Sequence, residues 1–98
     1  MEKAQELKIY NEAIDFFGVE SQKIMVIEEM SELTKELCKE LRNRGDVAHI
    51  AEELADVEIT LAQLKMIYNI HQAVEEQKDY KLNRLAKNMA ELKKAQNQ

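Results

Sequence analysis

The chain has 98 residues, a net charge of −5, 34% charged and 5% aromatic residues, which leaves room for a single domain over residues 1–98 and no second one. The acidic balance excludes a general nucleic-acid surface, which needs a positive field, and no apolar run is long enough to cross a bilayer. With no Pro, only Gly18 and Gly45 as glycines, and many Glu, Lys, Leu and Ala, the composition predicts an all-α fold.

The first helix is expected from about Lys3 to Phe17, with Leu7, Ile9 or Tyr10, Ala13, Ile14 and Phe17 approximating one face. Gly18 supplies a C-terminal stop, and Ser21 offers an N-cap for the next helix. That helix is expected from about Gln22 to Arg42. Its stripe of Val26, Met30, Leu33, Leu37 and Leu41 alternates by three and four. Glu29, Glu32 and Glu36 fall along the edge of that stripe, where a carboxylate costs more than in open water. Asn43, Arg44, Gly45 and Asp46 read as a loop, with Asp46 as the next N-cap.

The third helix is expected from Val47 to Tyr68. One face carries Val47, Ile50, Leu54, Val57, Leu61, Leu64 and Tyr68; a smaller one carries Ala51, Ala55, Ile59, Ala62 and Met66. A helix apolar on two sides is expected to be central. His49, Glu53, Asp56 and Thr60 line one edge of the larger face. A break is placed between Asn69 and Gln72, because an unbroken helix to the end would be unusually long. The last helix carries Val74, Leu82, Leu85, Met89 and Leu92, with Gln77, Lys81, Arg84 and Asn88 on an adjacent face and a fraying end at KKAQNQ.

Cys38, without a second cysteine, excludes an intrachain disulfide. Its apolar run predicts a buried thiol in a reducing compartment, and a polar start without a signal pattern predicts a soluble cytoplasmic protein. Met25, Met30, Met66 and Met89 are expected in the core. No Gly-rich phosphate loop is present, which excludes P-loop chemistry, and neither His stands at the Glu-x-x-His spacing of di-iron bundles.

The chemistry-bearing pattern is acidic. Glu28, Glu29 and Glu32 spell E-E-x-x-E on the second helix; Glu53 and Asp56 spell E-x-x-D on the third. Residues three or four apart share a helix face, so the two sets can converge across a helix pair. Carboxylates brought that close repel unless a cation lies between them, and Mg²⁺ commonly bridges protein carboxylates and substrate phosphates. Composition alone reads the same acids as a solvated face, as it does Glu36, Glu40 and Glu58.

The order of these motifs, 21 positions from Glu32 to Glu53, resembles the MazG-like all-α nucleoside triphosphate pyrophosphohydrolases. FGVESQKIMVIEEMSEL, EELADVEITLAQL and VEEQKDYKLNRLAKNM are similar to that family's aromatic-Gly segment with its acidic motif, its second metal helix and its basic last helix. The resemblance covers roughly residues 17–89. It implies a four-helix MazG-like bundle completed by oligomerisation as a homodimer or homotetramer, and hydrolysis of an NTP or dNTP to monophosphate and pyrophosphate. Glu29, Glu32, Glu53 and Asp56 would hold Mg²⁺, or Mn²⁺ in its place, and Glu28 would hold or deprotonate the attacking water. Lys81 and Arg84 match basic phosphate contacts, although Lys78 or Lys87 fits a shifted register and a salt-bridged surface explains them equally well. Gln22 could reach the nucleotide. His49 is placed for a phosphate contact, but a solvent-facing or capping role is the better reading. Phe17 stands where many relatives have Trp, which leaves base stacking open. The rival readings are a non-enzymatic helical-bundle oligomer and an inactive relative acting as a partner-binding module.

Overall fold

The computed structural model describes residues 1–97. Four helices follow in order: α1 (Lys3–Phe17), α2 (Val19–Leu41), α3 (Val47–Tyr68) and α4 (His71–Gln96). Local chemistry sets the boundaries. Gly18 joins α1 to α2 at φ 91°, a conformation that L side chains rarely adopt. Its N–H donates to the Ile14 carbonyl at 2.9 Å and its carbonyl accepts from Gln22 N–H at 3.1 Å. Helix α2 therefore starts three residues earlier than Gln22, and Ser21 is not its cap but an interior residue. At the other end of α2, Asn43 is left-handed, and Arg44 N–H reaches back to the Lys39 carbonyl at 2.9 Å. Asn69 ends α3 in the same way, with Ile70 N–H on the Lys65 carbonyl at 3.0 Å. Both are Schellman-type stops, in which asparagine tolerates the left-handed region. Asp46 caps α3 as expected, accepting from Ala48 N–H at 2.8 Å. The helical run of α4 passes through most of the segment expected to fray.

The heart of the molecule is the hairpin of α2 and α3. A short loop makes the two helices antiparallel neighbours. Along α2 the residues turned inward are Gln22, Val26, Glu29, Leu33 and Glu36; along α3 they are Ile50, Glu53, Val57, Thr60 and Leu64. Both series step by three and four, a continuous helix–helix seam. Lys23 Nζ sits 4.7 Å from the Tyr68 ring centre, tying the start of α2 to the end of α3. Helix α3 is central, with α2 and α1 packed along it and α4 touching it. Tyr10, Ala13 and Ile14 are the half-buried face of α1.

The seam differs from the expected stripe. Among the described residues only Val26 and Val57 are buried and apolar, whereas Met30, Leu37, Leu41, Leu54 and Leu61 are exposed. In an antiparallel pair, positions displaced the same way round both helices emerge on the same side, so these five residues share one outward apolar face. The acidic edges of α2 and α3 emerge on the opposite flank. Cys38, expected buried, is exposed; Met25, Met30 and Met89 are exposed as well, and of the four methionines named only Met66 is half-buried. Glu36, expected on a solvated face, is buried in the seam beside Lys39 at 3.3 Å. For Met30, Cys38 and Glu36 the reason is that the seam runs along one edge of the sequence stripe rather than its centre; Met89 lies on α4, where every described residue after Glu75 is exposed.

The result is extended. The radius of gyration is 17.6 Å, against about 13 Å for a compact chain of 100 residues. The accessible surface is 8101 Å², roughly 2,300 Å² more than size scaling gives for a compact 11.4 kDa monomer. Helix α4 contributes much of this, since every described residue after Glu75 is exposed. No described helix is long and apolar enough to cross a membrane.

Candidate metal centre

The antiparallel register brings the two acidic motifs together. Each of Glu29, Glu53 and Asp56 offers a carboxylate oxygen within 4.8 Å of the others, Glu29 and Glu53 half-buried and Asp56 exposed. Glu53 belongs to the seam, and Asp56 lies three residues further along the same edge of α3. Glu29 reaches them from the facing helix. Oxygens at this spacing suit a hard divalent cation, whose ligands are carboxylates and water.

Electrostatics show what the grouping costs. Partial removal from water, then the charges of Asp56 and Glu53, raise the Glu29 carboxyl above its usual value. A hydrogen bond with Asp56 and the charge of Glu32 act in the same direction. Desolvation and the charges of Asp56, Glu32, Glu36 and Glu52 raise Glu53 likewise. No described basic side chain forms an ion pair with the three acids of the group.

These shifts set the sign of a pH dependence. With both carboxyls raised, the ion-free folded chain holds more protons than the unfolded chain. That excess spans the window from the ordinary value of 4.5 up through the raised ones. Stability contributed by these groups is present below that window and is lost as pH rises through it. In chelator, the melting temperature at about pH 5 is expected to exceed that at about pH 7, and Glu29→Gln should flatten the difference. A melting profile of the variant parallel to the wild type would sink this account.

The other residues singled out from sequence are distributed as follows. Glu32 is exposed and outside the close group, though near enough to act on both shifted carboxyls. Glu28 is exposed and borders a 290 Å³ hollow with Phe17, Ser21, Gln22, Ile24 and Met25. Gln22 is buried at one end of the seam, while His49 is exposed one turn before Glu53. Lys81 and Arg84 are not brought to the acids within the chain. They lie on the exposed part of α4, which packs on α3 and not on α2, and Arg84 stacks instead over Tyr80 with its guanidinium 5.7 Å from the ring centre.

Gln63, which no sequence motif singled out, is one of the buried polar residues of α3. Its position one heptad after Asp56 was the available signal. Thr60, already on that edge, is also buried, and its hydroxyl donates to the Val57 carbonyl at 3.0 Å.

Among known proteins, no family model, no curated protein and no solved structure matches this chain.

Proposed function

We propose that this chain is a Mg²⁺-dependent nucleoside triphosphate pyrophosphohydrolase that works as a homo-oligomer. The observation that carries the reading is the convergence of Glu29, Glu53 and Asp56 from two separate motifs. Like charges are gathered there at an electrostatic cost without a cationic side chain to offset it. The order of the motifs and their flanks, which resemble the MazG-like enzymes, adds the reaction class.

Mg²⁺ or Mn²⁺, when bound, offsets phosphate charge, polarises the phosphoryl oxygen and lowers the pKa of water. The chain's own groups divide the remaining work. Glu29, Glu53 and Asp56 hold the ion, with Glu32 completing the set. Glu28, one residue along and on the hollow's rim, orients the attacking water and accepts its proton. The bond between the α and β phosphates breaks, giving monophosphate and pyrophosphate. Gln22 lines the same hollow, from which it could reach the nucleotide. His49 stands exposed on the acidic flank of α3, where the solvent-facing role remains the better reading. Lys81 and Arg84 could serve the site only from a second copy, because their own chain holds them away.

Oligomerisation is supported by the outward apolar face and by the excess of accessible surface. Two such hairpins packed face to face would make a four-helix bundle, either as a homodimer or as half of a homotetramer. The same face equally favours a non-catalytic bundle oligomer, or an inactive relative that binds a partner.

Metal-dependent turnover separates these readings. Pyrophosphate release should be measured over a panel of NTPs and dNTPs, with Mg²⁺ and with chelator. Release in Mg²⁺ alone, with the monophosphate as co-product, is the expected result. A folded oligomer that releases none from any nucleotide would favour the non-catalytic bundle.

A further inference from the structure

We infer that Gln63, together with Gln22, forms an amide pair that reads the polar edge of the nucleotide base. The inference rests on the hydrolase reading above and deepens it by naming what selects the substrate.

The geometry repeats by heptads. Gln22 lies seven residues before Glu29 on α2, and Gln63 lies seven after Asp56 on α3. Because the helices are antiparallel, both steps run toward the same end of the hairpin. Seven residues repeat the same helix face about 10 Å further along the axis. Gln63 therefore stands to Gln22 as Asp56 stands to Glu29, and the latter two bring oxygens within 4.8 Å of each other. Lys23 over Tyr68 confirms that this end of α2 faces this end of α3.

Both glutamines are 5% exposed, yet neither is satisfied by the protein. Neither side chain takes part in a hydrogen bond among those of the described residues, and none joins the two. Every described side-chain nitrogen or oxygen that is sealed from solvent does have a partner. The amide heads of Gln22 and Gln63 therefore keep some opening, and Gln22 borders the 290 Å³ hollow that Phe17, Ser21, Ile24, Met25 and Glu28 complete. An amide that the protein leaves unpaired beside a hollow is available to a ligand. Each amide offers both a donor and an acceptor, the groups that base edges present. The offset of about 10 Å from the acidic group is the kind of separation a ribose sets between its 5′ phosphate and its base. A phosphate held at the acids thus directs the base toward this pair.

The test is base discrimination, measured as the ratios of kcat/KM over the four NTPs and four dNTPs. Wild type, Gln63→Leu and Gln63→Glu are compared in Mg²⁺. Wild type should favour one base, and Gln63→Leu should cut that preference by about tenfold or more, because polar pockets discriminate through satisfied hydrogen bonds. Gln63→Glu, nearly the same shape but accepting only, should shift preference toward bases that present an amino group. It decides the matter if the leucine variant does not fold. Unchanged ratios in both variants, or a wild type indifferent to the base, overturn the pair while leaving the hydrolase reading intact. A wild type that hydrolyses no nucleotide overturns both.

Discussion

Replacing Glu29 by Gln or Asp56 by Asn is expected to abolish Mg²⁺-dependent pyrophosphate release, with a loss of at least about 100-fold. Removing a group that merely orients a metal ligand already costs about 10–100-fold, and these two residues are placed as ligands themselves. Each substitution keeps the side-chain shape and removes one negative charge from a group held within 4.8 Å. The folded state should not suffer. The charges that raise Glu29 are repulsive, so either amide is expected to leave helicity intact and the ion-free melting temperature equal or higher. Activity and circular dichroism on the same preparations separate the two effects. Turnover that survives both substitutions would show the site to be misplaced. A sharp loss of ion-free stability in Asp56→Asn would instead assign the acids a structural role.

In solution the protein is expected to have no less than twice its chain mass of 11.4 kDa. A stable interface buries about 800 Å² on each partner, and the chain carries roughly 2,300 Å² beyond the surface of a compact monomer. Leu37 and Leu41 on α2 and Leu54 and Leu61 on α3 are the exposed core of that surface; Leu41 is 79% exposed. Large apolar groups gathered in this way mark an interaction face. Charging its centre with Leu37→Glu and Leu54→Glu should weaken association by at least about 30-fold, the scale of a hot-spot loss, because paired copies would then bury unpaired carboxylates. Sedimentation or light scattering reads the result directly. A wild type that stays monomeric at high micromolar concentration would contradict it.

The two substitution sets also test independence. If catalysis needs only the acids of one hairpin, the Leu37→Glu, Leu54→Glu monomer keeps metal-dependent turnover. If Lys81 and Arg84 act from a second copy, turnover falls with association.

Local chemistry was legible from the residues alone. Whereas the break after α3 followed from helix length alone, Gly18 and Asp46 act within a turn of their own positions, so the helix boundaries near them were legible to within a few residues. The acidic motifs were legible for the same reason, since spacing along one helix settles which carboxylates share a face. The central place of α3 followed from its two apolar sides. Which face meets which neighbour depends on how the helices pack. Periodicity shows that α2 has an apolar stripe, but the free energy of burial is non-directional and does not say whether the stripe meets α3 or is left facing outward. The register of the hairpin settles it, setting Glu29 and Glu36 into the seam while leaving Met30, Leu37 and Leu41 outside. The packing of α4 on α3 and not on α2 keeps Lys81 and Arg84 away from the acids, a relation between distant residues that no single helix encodes.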